Sequence, residues 1–197
     1  MILDLLKKRK SVRNFSDKKI SKDIIGYILE AGRLSPSGGN EQPWKFGVIT
    51  EKDLIEEISE IAYNQKWIKN AYMLIVLCTK IVDDQKGGRD IQKSRFLELE
   101  NEIGRMDQEL YSKLNQEEHQ TKIPGTHMVL AALENGIGST WISYFKVDEV
   151  TDLLELPEGY IPGEIIAFGY PENKTKTTSK KDIEEIVFYN KFNSIKE

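Results

Sequence analysis

Met73-Leu74-Ile75-Val76-Leu77-Cys78 is uniformly apolar and short. A run of that length with no polar face reads as a strand covered on both sides, at the centre of a sheet packed by helices. Working outward toward the N-terminus, residues 52–62 carry Leu54, Ile55, Ile58 and Ile61 at helical spacing. Before them Trp44, Phe46 and Val48 alternate with smaller or polar residues, which predicts a strand over 44–49. Earlier still, Ser21 is placed to cap a helix whose stripe is Ile24, Ile25, Ile28 and Leu29. That helix must stop near Leu34, because Pro36, Gly38, Gly39 and Pro43 cannot continue it. Ile2, Leu5 and Leu6 share one face of a short opening helix.

On the other side of the central run, residues 126–134 form an apolar helix ending before Gly136. A strand over 139–143, a helix over 148–154 closed by Pro157 and Gly159, and an apolar strand over 164–169 follow. Residues 171–181 are polar and lysine-rich, and 183–188 regain apolar character. Residues 83–120 differ from all of this. After Gly87-Gly88 comes a charged, helix-forming stretch in which Phe96, Leu99, Ile103, Met106, Leu110 and Leu114 recur near 3.6-residue spacing. Such a stripe suits a flap, a dimer arm or a coiled-coil seam. No repeat or linker divides the chain, so residues 1–197 read as one α+β domain with helices around a small sheet.

Composition narrows the function. The 197 residues can bury a full core, and 30% charged with 39% hydrophobic residues is ordinary for a soluble globular protein. A net charge of −4 disfavours nonspecific nucleic-acid binding. The single cysteine, Cys78, lies inside the apolar run and reads as a core thiol. No apolar run is long enough to span a bilayer, and the opening residues place charge after a very short apolar stretch, the reverse of a secretory leader. A cytoplasmic location is expected. His119 and His127 belong to no metal-ligand or triad pattern and read as structural. There is neither a P-loop nor a dinucleotide-binding Gly-x-Gly-x-x-Gly after a strand. An enzyme with no evident acid, base or nucleophile is one whose chemistry a cofactor supplies.

Three elements carry binding chemistry. Lys7, Lys8, Arg9, Lys10 and Arg13 put five cations within seven residues of an acidic protein. They can serve simply as cations at a helix C-terminus. If the chain there is extended, Arg9, Ser11 and Arg13 instead point one way, two guanidinium groups and a hydroxyl suited to a phosphate. The second element is Ser35-Pro36-Ser37-Gly38-Gly39-Asn40-Glu41-Gln42-Pro43-Trp44. Its glycines allow backbone to approach a flat ligand, and Ser37 and Asn40 offer hydrogen bonds. The third is Gly136-Ile137-Gly138-Ser139-Thr140-Trp141-Ile142-Ser143, where helix end and strand start account for the glycines equally well.

In this order and at this separation the elements resemble the nitroreductase family of FMN flavoproteins. Residues 9–15 are similar to its opening Arg-x-Ser-x-Arg/Lys-x-Phe signature, 35–44 to its Ser-Pro-Ser loop, and 136–143 to its Gly-x-Gly-Ser-x-Trp-Ile segment. Leu156-Pro157-Glu158-Gly159-Tyr160 with Ile166-Ala167-Phe168-Gly169-Tyr170-Pro171 resembles its closing pair of motifs. The resemblance implies a mixed β-sheet packed by helices in an intertwined homodimer. It also implies FMN bound through Arg9, Lys10, Ser11 and Lys180 at the phosphate and Arg13 at the N1/O2 edge of the ring. Pro36, Ser37, Gly38 and Asn40 would serve the flavin bound mainly by the other subunit. Asn64 or Gln65 would contact the pyrimidine edge, and Trp141, Ile142 and Ser143 would lie beside the ring, with a backbone N–H of Ser143 toward N5. Arg13 and Ser143 are then the catalytic candidates, and no metal is implied. NADH or NADPH would deliver hydride, and a nitroaromatic, quinone or flavin would collect it in a second half-reaction. A dehalogenase, a flavin-degrading enzyme and a slow redox sensor are the rival outcomes. Lys180 stands where many relatives have arginine, Ser143 where many have Gly or Glu, and residues 83–120 match no motif.

Overall fold

The computed structural model describes residues 2–80, 88–107, 110–111, 120–173 and 179–192. The central run is strand β2 (Met73–Lys80), flanked by β1 (Trp44–Ile49) and β4 (Tyr160–Gly169), with β3 (Gly138–Ile142) beyond β4. Every ladder is antiparallel. The fold is α+β, and among the described residues the sheet ladders are antiparallel, with a parallel bridge between Ser11 and Ser139 outside them.

Period-two alternation divides β2 between two cores. Leu74, Val76 and Cys78 face α3 (Lys52–Ile61) and α7 (Val147–Leu153), packing with Ile55, Ile58 and Val150. Met73, Ile75 and Leu77 face α2 (Lys22–Arg33) and α6 (Lys122–Glu134), packing with Ile28, Met128 and Val129. Each such side chain contributes roughly 1.5–3 kcal/mol on burial, which is why a strand with no polar face is stable only here. The Ser21 hydroxyl accepts the Ile24 N–H at 3.4 Å, so α2 begins where the capping residue predicted, and Leu34 closes it.

The opening helix α1 (Ile2–Lys8) has no buried residue, and Ile2, Leu3 and Leu6 are exposed. One expectation changes. The stripe expected along 83–120 is broken where it is described, into α4 (Gly88–Arg95), a 3₁₀ turn (Leu97–Leu99) and α5 (Glu100–Arg105). Arg89 ties the pieces together: its guanidinium donates to the carbonyls of Ile103 at 3.1 Å and Met106 at 2.5 Å, capping α5 from α4. Leu114 and His119 lie outside the described residues. A short α8 (Ile183–Ile186), started by a capping box between Asp182 and Glu185, ends the described chain's regular structure.

Candidate active site

After α1 the chain is extended along the edge of β3. The Val12 N–H donates to Ser139 O at 3.0 Å, and Thr140 Oγ1 donates to Val12 O at 2.5 Å. Further on, Ser16 N–H donates to Tyr170 O at 2.9 Å and Phe15 bridges Pro171. Val12 and Phe15 are buried, so the alternate residues Ser11 and Arg13 face outward and Arg9 is half-buried. The Arg13 guanidinium lies over the Trp67 ring, 5.7 Å from its centroid. Neither Arg9 nor Arg13 has a carboxylate partner among the described residues. Lys10 is half-buried on the same segment.

This arrangement explains the glycines of the third element. Gly136, at φ +73°, ends α6 in a Schellman motif: its N–H donates to Leu133 O at 3.0 Å and the Ile137 N–H to Ala132 O at 2.9 Å. Gly138 gives room instead, since a Cβ there would stand 2.7 Å from Val12 Cγ2. A cavity of about 70 Å³ lies at this junction, bounded by Lys8, Arg9, Lys10, Gly136, Gly138 and Pro171 among others. Ligand pockets run to roughly 300–1,000 Å³, so this hollow holds a small group and not a whole flavin.

The Ser-Pro-Ser loop is an exposed ledge with fixed backbone. Ser35 is buried, donating to Ala31 O at 3.3 Å and sharing a 2.7 Å hydrogen bond with His127 Nδ1, which gives that histidine its structural role. The Gln42 N–H donates to Ser37 Oγ at 2.9 Å, and the Gly38 N–H to Gln120 Oε1 at 2.8 Å. Asn40 and Gln42 hold φ of 58° and 50°, and the Gln42 amide donates to Asn40 O and Oδ1 at 3.3 Å. Pro36, Gly38 and Asn40 are exposed.

The turn after α3 is laced to the chain after β3. Gln65 Nε2 donates to Ala62 O and Tyr144 O, both at 3.0 Å, and the Lys146 N–H donates to Ile61 O at 3.3 Å. Tyr63 stacks on Tyr144 with centroids 3.9 Å apart and planes 14° apart. Gln65 thus spends its amide N–H groups within the fold, whereas Asn64, at φ 56°, is exposed. Trp141 packs into the α6-side core against Gly125, and Ile142 is buried in the other core. Their side chains are taken up by packing, which leaves backbone as what they can offer a ligand. Ser143 is exposed, and its hydroxyl donates to Glu164 Oε2 at 2.5 Å. Lys180 is exposed in the tail, and no hydrogen bond or ion pair joins it to the 9–13 segment among the described residues.

Three neighbours of these residues escaped the sequence reading: Trp67 under Arg13, and Glu164 with its partner Lys122. A lone carboxylate inside the apolar stretch 160–169 was the signal available for Glu164. Cys78 is no candidate nucleophile: it is 2% exposed, and burial pushes its thiol up to about 11 against the smaller opposing effects of the Gly47 backbone and Lys45. No group of three His, Cys, Asp or Glu side chains is placed to hold a metal among the described residues.

The sequence model of the nitroreductase family matches residues 6–170, from within α1 to Tyr170 in the closing motif. The chain belongs to the nitroreductase family. A Staphylococcus aureus (strain USA300) protein whose name includes NAD(P)H nitroreductase is 31% identical over 214 residues, covering 93% of this chain and 94% of the relative. An Archaeoglobus fulgidus protein named with the words NADH dehydrogenase/NAD(P)H nitroreductase is 28% identical over 176 residues, with 87% and 86% covered. The crystal structure of a nitroreductase family protein from Streptococcus pneumoniae TIGR4 superposes with a TM-score of 0.73 at 27% identity, covering 96% of this chain and 100% of that one. An FMN-dependent nitroreductase from Clostridium difficile R20291 shares the fold with a TM-score of 0.72 at 23% identity, over 96% and 99% of the two chains. For this nitroreductase-family chain, all three recognised elements fall inside the matched residues, and the first and third meet in one patch around β3. The Ser-Pro-Ser ledge is tied instead to Gln120, just before α6, and through Ser35 to His127 on α6.

Proposed function

We propose that this protein is an FMN-dependent oxidoreductase that takes electrons from NADH or NADPH. It hands them to a nitroaromatic, quinone or flavin-type acceptor in a second half-reaction at the same site. The observation that carries this is the extended segment that turns Ser11 and Arg13 outward, with half-buried Arg9 just before it at the end of α1. It is held rigid from behind by Val12, Thr140 and Ser139, with no carboxylate neutralising either arginine among the described residues. Uncompensated guanidinium groups beside a hydroxyl fit an anion with a polar edge.

The residues present fit FMN. Arg9, Lys10 and Ser11 would hold the phosphate, with Lys180 added from the tail, and the small cavity beside Arg9 is of a size for such a group. Arg13 would balance the negative charge that accompanies reduction. Asn64, exposed and unspent, suits the pyrimidine edge better than Gln65, whose amide is tied to Tyr144. Backbone from Trp141 to Ser143 would lie along the ring, and Pro36, Ser37, Gly38 and Asn40 would approach from a second subunit. When bound, FMN supplies the two-electron transfer that no side chain here can perform. The protein's part is to bind, orient and exclude water.

A homodimer is part of the proposal. The cavity beside Arg9 is too small to take a flavin by itself, and the tail leaves Ile183, Ile186, Phe188, Tyr189 and Phe192 exposed. Apolar surface of that extent marks an interaction face. No helix among the described residues is long and apolar enough to cross a membrane, and we place the enzyme in the cytoplasm.

The test is direct. Purified protein reconstituted with excess FMN should be yellow, hold one FMN per chain and release it on denaturation. Stopped-flow mixing with NADH should bleach the flavin, and a nitroaromatic should restore its colour. Protein that stays colourless with excess FMN would end this reading.

A further inference from the structure

Glu164 is a buried carboxylate that the proposed function does not use. It is 5% exposed and lies in an otherwise apolar strand. It sits at a bulge: β4 pairs Leu77 with Glu164 and Cys78 with Pro162, so Gly163 has no partner on β2. Bulges re-aim side chains, and they occur beside active sites. On the other edge β3 pairs Ile142 with Ile165, so Ser143 stands one step past the ladder's end, across from Glu164. The Ser143 hydroxyl donates to Oε2 at 2.5 Å, and Lys122 Nζ lies 3.0 Å from Oε1.

A carboxylate this buried is tolerable only if both oxygens are partnered, and here they are, by two different elements. Lys122 opens α6, whose preceding residue Thr121 accepts a 3.2 Å hydrogen bond from Thr79 on β2. The charge pair is thus anchored to the sheet. Toward the candidate site the pair reaches Ser143, whose hydroxyl is turned inward by the carboxylate.

We infer that Glu164 is a positioning residue: with Lys122 it fixes Ser143 and sets the electron affinity of the flavin site. The inference rests on the proposal that Ser143 lies beside the ring. The pair is nearly neutral as a unit, so its members act with opposite sign. Removing the negative charge leaves Lys122 uncompensated and favours reduction. Removing the positive charge leaves a buried carboxylate uncompensated behind Ser143 and disfavours it. A purely structural role would move both variants the same way.

The experiment is a redox titration of FMN-loaded wild type, Glu164→Gln, Lys122→Gln and the double variant. Glu164→Gln should favour reduction by about three- to tenfold, roughly 15–30 mV upward for a two-electron couple. Lys122→Gln should shift the equilibrium the other way, and the double variant should return close to wild type. Lys122 is half exposed, so its variant tests the sign even if Glu164→Gln fails to fold. Shifts of the same sign, or none in Lys122→Gln, would overturn the inference while a yellow, reducible wild type keeps the FMN reading intact. A colourless wild type would remove both.

Discussion

Arg9 closes α1 and Arg13 lies on the extended segment that follows, and their surroundings differ. Arg9 is half-buried beside the small cavity at Gly136 and Gly138, whereas Arg13 is exposed over Trp67. A charge in a hollow holds a ligand, and a charge over an open aromatic face can follow the electronic state of one. Arg13→Gln should therefore leave FMN bound but lower its midpoint by some tens of millivolts, a loss on the order of 1.5–3 kcal/mol if one charged hydrogen bond is removed. Arg9→Gln should mainly weaken FMN retention and leave the midpoint of the bound fraction nearly unchanged. Equal shifts in redox titrations of the two variants would show the roles to be misassigned. Cys78 makes a separate prediction at this scale. Its thiol ionises at about 11 when folded and near 8.5 when the chain is unfolded. Below both values the difference contributes full stability. As pH rises from about 8.5 through 11 the unfolded chain gives up its proton first, so that stability is lost. Urea titrations of wild type against Cys78→Ala should thus converge or cross between pH 8.5 and 11, and a constant gap would refute the assignment.

Elements meet most closely at the turn into β3. A Cβ on Gly138 would stand 2.7 Å from Val12 Cγ2, 2.9 Å from Val12 Cβ and 3.1 Å from Pro171 Cγ, so three segments must part to admit it. Gly138→Ala should destabilise by about 1–3 kcal/mol, read as a lower urea midpoint at unchanged slope. Wild-type stability in this variant would mean that the 9–16 segment is not docked as described. The same turn shows what local pattern can and cannot carry. Helix end and strand start were both legible at Gly136–Gly138, but the reason for the second glycine was not, because Val12 is more than a hundred residues away in sequence. Strand β2 was legible because burial on both faces forces an unbroken apolar run. The apolar pattern starts strand β4 at Glu164, four residues late; the strand takes in Pro162 opposite Cys78, and a bulge at Gly163 turns Glu164 inward. Periodicity over 83–120 promised one stripe. Where it is described the stretch is instead folded back on itself, with Arg89 reaching across to the Ile103 and Met106 carbonyls, a tertiary contact that spacing does not encode.

For the molecule as a whole, the apolar surface is the strongest constraint on assembly. The described tail exposes Phe188 at 57%, Tyr189 at 76% and Phe192 at 81%, and α1 exposes Ile2 at 66%. A four-residue α8 with only a capping box cannot hold such a tail in place alone, since helices this short are unstable without packing. If a second copy covers it, and if FMN is contacted by the 9–13 segment of one chain and the Ser37–Asn40 ledge of the other, then flavin binding and dimerisation are linked. Linkage is reciprocal: FMN must tighten the dimer by the same factor by which dimerisation tightens FMN. Phe188→Asp combined with Tyr189→Asp places two charges on the covered face and should shift the protein toward monomer. FMN affinity should then fall by at least roughly tenfold, about 1.4 kcal/mol. Raising FMN concentration should partly restore the dimer. Sedimentation across an FMN series, with flavin fluorescence as the binding readout, measures both sides. A variant that sediments as a monomer yet keeps wild-type FMN affinity and turnover would show that one chain builds the whole site, and the two-chain arrangement would have to be abandoned.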